Sequence, residues 1–326
     1  VNFPDLALRH AVRDALGRRA GESIEEDALL ELTYLPASGK GIRDLSGLER
    51  AENLQWLDLS GNQIVDVSPL KGLVRLKGLW LGDNRISDVS AIAGLRNLLQ
   101  LSISGNRVAD LAPVAGLATL RELGIERMNV RNLSVLSTLT NLRKLFCGRN
   151  QVSDLSPLSG LLKLETVWLW DNEVADFSPL LALPHLMHLN LCWNPLADIS
   201  LLAKLTNLKV LDISGCGLRD LSALAGLTHL EWLNLEWTGL TSLLGFPPLC
   251  RADRSDQLVQ GLGVDSCSAP QLNLRNNSIA DLSPLLGKVP VGGWIALDGN
   301  PIDLGQGSPA MLVIQALKRA GVNMCY

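Results

Sequence analysis

Residues 54–64 read Leu54-Gln55-Trp56-Leu57-Asp58-Leu59-Ser60-Gly61-Asn62-Gln63-Ile64. The same frame returns 22 residues later as Leu76, Leu79, Leu81, Asn84 and Ile86. Asn recurs at 106, 150, 172 and 194, while Met128, Cys216 and Thr238 hold the same place in their units. Leu57 and Leu59 alternate with polar neighbours, which predicts a short, half-buried strand. Strands repeated in one direction must run parallel, because each is reached by a crossover. The return, Asp66-Val67-Ser68-Pro69-Leu70, is too short for a long helix. A single 3₁₀ or α turn fits, with Ser68 as N-cap and Pro69 at the first turn position, where no amide donor is needed.

A fixed period of this length with leucines at fixed offsets predicts a leucine-rich repeat solenoid of the α/β class. Its curved parallel β-sheet lies on the concave face and its short 3₁₀/α turns on the convex face. About twelve strands are expected, with helical N- and C-terminal caps at residues 1–31 and 305–326 and the repeats at 32–304. Phe3–Leu16 reads as an amphipathic helix closed by Gly17. Ser23-Ile24-Glu25-Glu26 reads as a capping box, and the first strand is expected at Leu32–Leu35. Ser308-Pro309 opens a helix through Ala320, stopped by Gly321. The Asn column should satisfy buried backbone groups, since a side-chain amide both donates and accepts. Met128 cannot, so unit 120–141 should be locally irregular, with Asn129 available to compensate. A second column, Asp44, Asp66, Asp88, Asp110, Asn132, Asp154, Asp176, Asp198 and Asp220, should bond the turn amides. One carboxylate per turn does not make a metal site.

The register breaks once. Thr238 and Asn277 are 39 residues apart, one period plus 17. The surplus lies within residues 249–270 and holds Cys250 and Cys267. It reads as a protruding loop closed by a disulfide, or as a distorted repeat with two free thiols. Cys147 falls at a core strand position and Cys216 in the Asn column. The net charge of −4 gives no basic footprint for nucleic acid. No apolar run reaches the length of a membrane span, so no membrane insertion is expected. The chain begins at Val1, which reads as a mature or excised form whose signal peptide would not be visible.

In each unit the third, fifth and seventh residues point away from the core, and the eighth ends the strand. All eight tryptophans fall in these four columns. Exposed aromatic clusters mark binding surfaces. Three clusters emerge: Tyr34 with Trp56 and Trp80; Phe146, Trp168, Trp170 and Trp193 beside His188; and Trp232, Trp237 and Trp294. Glu122, Glu126, Arg127, Lys144, Arg149 and Asp171 ring the central one, an aromatic centre with a charged rim. A protein ligand is the first reading. Stacking that only stiffens the sheet and a carbohydrate ligand are the others. No catalytic constellation stands out: His185 and His188 diverge on a strand entry, Gly61-Asn62 is a turn, and Ser104, Ser214 and Cys192 lack a base at triad spacing. No cofactor is expected.

The unit L-x-x-L-x-x-L-x-L-S-x-N-x-I-x-D-[VL]-S-P-L-x-x-L resembles the 22-residue class of leucine-rich repeats. That class occurs in bacterial internalins and in phosphatase-regulating proteins of eukaryotes. Phe3-Pro4-Asp5-x-x-Leu8, Ala15-Leu16-Gly17, Leu32-Thr33-x-Leu35, Gly41-Ile42 and Asp44-Leu45-x-Gly47-Leu48-Glu49 resemble the cap and first repeat of internalin-like proteins. The resemblance implies a bacterial protein, extracellular or on the cell surface, that recognises a protein through concave aromatics and is not an enzyme. The phosphatase-regulator likeness implies a structural or scaffold role instead.

Overall fold

The structure, a computed structural model, describes residues 1–19, 22–196, 198–218, 220–252 and 271–326. It divides into two compact units, Val1–Leu164 and Glu165–Tyr326. The first opens with helix α1 (Leu6–Ala15), whose N-cap Asp5 accepts from the amides of Ala7 and Leu8. The short helix α2 (Glu26–Leu29) follows. The capping box does not form. Glu25 is the N-cap residue and makes no side-chain cap bond, because the Ser23 hydroxyl donates instead to Glu25 Oε1, 2.5 Å away.

Six short parallel strands complete the first unit among the described residues: β1 (Tyr34–Pro36), β2 (Trp56–Asp58), β3 (Gly78–Trp80), β4 (Gln100–Ser102), β5 (Glu122–Gly124) and β6 (Lys144–Phe146). Their register follows the period, with Leu57 opposite Leu79 and Leu79 opposite Leu101. The second unit carries β7 (Thr166–Trp168), β8 (His188–Asn190), β9 (Val210–Asp212), β10 (Trp232–Asn234), β11 (Leu272–Asn273), β12 (Trp294–Ala296), helix α3 (Pro309–Arg319) and β13 (Asn323–Cys325). β11 pairs in parallel with β10 although 37 residues separate Asn234 from Leu272. β13 was not expected: the chain continues past α3 and adds a parallel strand to β12. Leu57, Leu59, Leu79, Leu81 and their successors are fully buried. Each contributes about 2–3 kcal/mol of apolar burial, so the leucine columns carry the fold.

The strands from β1 to β9, and β11, return through 3₁₀ turns such as Ser68–Leu70, Ser156–Leu158 or Ser200–Lys204. The serine is the first residue of the turn, not its cap. The column Asp accepts from the serine amide two residues on, as in Asp66 to Ser68 and Asp198 to Ser200, both at 2.8 Å. Asn132 does the same for Ser134 at 2.7 Å without a charge. Hydrogen bonds from the serines hold the carboxyls of Asp88, Asp154, Asp198, Asp220 and Asp281 below their ordinary value of 3.8. A lowered folded-state value favours the ionised form. Its stabilising share is complete above 3.8 and is lost as pH falls through the folded value. Burial raises Asp212, which has the opposite sign. Because five groups act one way, stability is expected to fall on acidification below about pH 4. Replacing Asp198, Asp220 and Asp281 together by Asn, as nature does at Asn132, should flatten that decline in urea unfolding midpoints.

The Asn column works as a ladder. Buried Asn84 accepts from the Ile64 amide at 3.0 Å and donates to the Leu59 and Leu81 carbonyls at 3.0 and 2.9 Å. Asn106 repeats these bonds one unit on. Where another residue stands in the column, the turn takes a second form. Lys40, Met128, Cys216 and Thr238 are each followed by a left-handed residue: Gly41, Asn129, Gly217 and Gly239. Asn129, the only one of these without a glycine, has φ +59°, a conformation that Asn tolerates better than most residues. The compensation at Met128 comes from Asn150, not from Asn129: Asn150 Oδ1 accepts from both Met128 N and Val130 N at 3.0 Å. Strand β5 keeps its register, so the irregularity stays on the turn side.

The Cys250–Cys267 disulfide needs correction. Cys250 is a free thiol that donates to the Thr228 carbonyl at 3.1 Å. Cys267 and most of the 249–270 insertion lie outside the described residues. A disulfide is made instead by Cys325, on β13. Burial pushes the Cys147 thiol up to about 12 and the Cys216 thiol up to about 11, which keeps both as inert thiols at neutral pH.

Candidate interaction face

In the first unit Trp56 and Trp80 stack, with ring centroids 6.0 Å apart and planes 19° off parallel. Gly78 makes the stack. It sits opposite Trp56 in register and two residues before Trp80. A Cβ there would lie 2.2 Å from Trp56 Cε3 and 2.7 Å from the Trp80 ring. Gly78→Ala is therefore expected to split the stack and cost about 1–3 kcal/mol, read as a changed near-ultraviolet dichroism and a lower melting temperature. Tyr34 lies opposite Trp56 and is exposed. Lys144, Phe146 and Glu126 of this unit are half-buried, and Arg149 is exposed. Arg127 forms an ion pair with Asp83 at 2.9 Å, across Gly105.

In the second unit the columns differ in depth. His188 is buried, and its Nδ1 lies 3.0 Å from the Thr166 hydroxyl. Trp232 is buried against Val210 and Ala252. Trp168, Trp170 and Trp294 are half-buried, and Asp171 is exposed. The expected central cluster draws Phe146 from one unit and Trp168, Trp170 and Trp193 from the other. Within the second unit the most exposed aromatics among the described residues are Trp193 and Trp237, which are 54% and 57% exposed.

Their position explains the exposure. Every described residue of the eighth column from Gly39 to Gly299 has a positive φ. Glycine takes this conformation freely at Gly61, Gly105 and Gly215, but Asp83, Arg127, Arg149, Asp171, Trp193, Trp237 and Asn276 also adopt it, at φ 53° to 56°. For an L-residue it costs about 1–2 kcal/mol, and a bulky aromatic there is a true outlier. The turn aims this side chain outward from the strand end. Trp193 then lies over Gly215, where a Cβ would come within 2.6 Å of the indole. Trp237 follows one repeat beyond Gly215, so the two indoles are two strand spacings apart, about 10 Å at the backbone.

An open hollow of about 720 Å³ adjoins Trp193, lined by Trp170, Asp171, Cys192, Asn194, Pro195 and Gly215. The floor beside it is polar and fixed. Asp212 is buried and accepts from the Ser214 hydroxyl at 2.7 Å and from Asn234 Nδ2 at 3.2 Å. Glu236 accepts from Asn273 and Asn276, each at 2.9 Å. Arg275 pairs with Asp298 at 2.8 Å. This is a rigid polar bed with apolar rings standing over it. The handedness of the eighth column was not read from the sequence. The signal was present: Gly61, Gly105 and Gly215 alternate there with bulky residues.

Among the described residues no group of His, Cys, Asp and Glu is placed to hold a metal ion. No described helix is long and apolar enough to cross a membrane.

A family model described as leucine-rich repeats in two copies matches residues 52–94, 74–118, 140–182 and 184–226. Among solved structures, an internalin C2 of Listeria monocytogenes is 38% identical with a TM-score of 0.63; the match covers 65% of this chain and 94% of that one. Another internalin of the same organism, InlF, is 29% identical with a TM-score of 0.79 and covers 99% of this chain and 91% of its own. The functional domain of InlJ from the same organism, 20% identical with a TM-score of 0.57, covers 90% of this chain and 80% of its own and shares the fold. A comparison with curated protein sequences gives no match. The repeats, the ladder and the turns define a leucine-rich repeat protein of the kind built for interaction. The chain belongs to the internalin-like leucine-rich repeat proteins.

Proposed function

We propose that the chain is a non-enzymatic recognition module that binds a protein partner through its strand face, at the extracellular side of a bacterial cell. The observation that carries this reading is the pair Trp193 and Trp237, held more than half exposed on left-handed backbone. A fold keeps two large apolar rings in water, on a conformation that costs energy, where a function uses them. The rings suit interface anchors and the fixed polar bed suits a rim. Trp168, Trp170 and Asp171 extend the surface within the second unit. Trp56, Trp80 and Tyr34 form a further aromatic patch in the first, with Phe146, Lys144, Arg149 and Glu126 as its other contributors. Buried His188 and Trp232 support neighbours rather than touch a partner.

The test is affinity capture from cell-surface and culture extracts with the native chain and with Trp193→Ala/Trp237→Ala. A protein held by the first and lost by the second, with equal melting temperatures, supports the reading. Equal capture by both refutes it. Release of the captured protein by free sugars would favour a glycan ligand at the same rings.

A further inference from the structure

The turn side of the first unit opens where Met128 interrupts the Asn ladder. Elsewhere in that unit a backbone bond ties each tenth-column amide to the unit before it: Gln63 N to Ile42 O, Arg85 N to Ile64 O, Arg107 N to Ile86 O and Gln151 N to Val130 O. Among the described residues the matching bond from Asn129 N to Val108 O is not made, and Val108 N, which a ladder Asn at 128 would accept from, has no acceptor. Two neighbouring repeats part there. The gap is a cleft of about 640 Å³ bounded by residues 106–112 and 128–135. A smaller cleft of about 230 Å³ lies next to a second break, at Cys216, lined by residues that include Leu196, Ile199, Gly217 and Leu218. At Thr238, by contrast, the corresponding amide of Leu218 is satisfied by the Thr238 carbonyl at 2.7 Å.

The larger cleft differs in its charges. Arg107 and Arg131 line it, both exposed. The Arg107 side chain makes no hydrogen bond or ion pair among the described residues, and the Arg131 side chain is tied only through Nε, to Gln151 Oε1 at 2.6 Å. The Asp column carries neutral Asn132 at this one place, so Asp110 is the only carboxylate in the lining. Asp110 is occupied by the Ala112 amide at 2.8 Å. The smaller cleft instead presents Asp198 and Asp220. The Met128 cleft therefore offers two guanidinium groups and the unpaired amides of Val108 and Asn129, all donors. Donors of this kind select carboxylate oxygens, which guanidinium binds in a two-pronged fashion.

We propose that the cleft opened at Met128 is a second binding site, on the turn side, that takes a carboxylate side chain of an acidic peptide segment. The carboxylate lies between Arg107 and Arg131, and a peptide carbonyl accepts from the open backbone amide that the missing ladder Asn would have capped.

Fluorescence anisotropy tests this with a labelled peptide of alternating Glu and Ala and its Gln/Ala counterpart, at low and high salt. The native chain is expected to bind the Glu peptide, to lose affinity in salt, and to bind the Gln peptide roughly ten-fold or more weaker. Arg107→Ala/Arg131→Ala, two exposed changes, should lose the Glu peptide by a similar factor. Met128→Asn should rebuild the ladder, close the cleft and abolish binding. Trp193→Ala/Trp237→Ala should bind the peptide as the native chain does, which keeps this site separate from the strand face. Absence of Glu-peptide binding, equal binding of the Gln peptide, or full binding by either the double-arginine or the Met128 variant would each overturn the proposal.

Discussion

Trp193→Gly/Trp237→Gly is expected to lose partner binding by roughly a hundred- to a thousand-fold while the melting temperature stays level or rises. The two effects come from different physics. Aromatic anchors at protein interfaces are typically worth about 2 kcal/mol or more each, and 1.4 kcal/mol is about ten-fold in affinity. Stability responds to the backbone. Both residues sit at φ +56°, where an L-residue costs about 1–2 kcal/mol and glycine nothing. Glycine's greater freedom when unfolded returns about 0.5–1 kcal/mol of that gain. Gly61, Gly105 and Gly215 occupy the same column in the same conformation, so the fold already accepts glycine there. A structural role for the rings predicts the reverse: weaker stability and unchanged binding. Binding titrations and thermal melts on the same samples separate the two.

Asn84→Ala is expected to destabilise the chain by about 2 kcal/mol. The side chain fills a buried turn and bonds four backbone groups, Ile64 N, Leu59 O, Leu81 O and Gly82 O. Removing it leaves the Ile64 amide without its acceptor, which costs about 1–3 kcal/mol, and takes one of two ladder donors from Leu59 O and Leu81 O, which keep Asn62 and Asn106. The second turn form does not rescue the variant, because it needs a left-handed tenth residue and position 85 is Arg, not Gly or Asn. Asn84→Ala with Arg85→Gly should therefore recover part of the loss, since Gly41, Gly217 and Gly239 serve non-Asn turns in this way. A lower denaturation midpoint for the single variant and partial recovery for the double variant are the expected readings. Equal midpoints for native and single variant would remove the ladder from the account.

The period at 62, 84 and 106 was enough to read the parallel strands, the 3₁₀ returns and the role of the Asp column. These follow from side-chain spacing, which the sequence states directly. Depth was harder. Trp232 and Trp237 both fall in face columns, yet one is buried and the other displayed. Alternation tells which side of a strand a residue leaves from, but not what neighbouring columns stack over it. His188 disappears beneath its neighbours for that reason and finds Thr166. The pairing of Cys250 with Cys267 rested on closeness in the chain. Strand β13, which the helix reading of the C-terminal region did not foresee, carries Cys325 and shows why sequence proximity was a poor guide. The second turn form was written in plain view as Lys-Gly, Met-Asn, Cys-Gly and Thr-Gly pairs at 40, 128, 216 and 238. It becomes readable once a left-handed residue is seen to follow each place where the ladder amide is missing.

Hydroxyl-radical footprinting of the chain alone and with its captured partner tests the central claim most directly. Trp193 and Trp237 are exposed and should be oxidised readily in the free chain. Partner binding is expected to protect both, with lesser protection at Trp170 and none at Leu244, which is 77% exposed on the return path. Undiminished oxidation of Trp193 and Trp237 in the saturated complex would contradict recognition through the strand face.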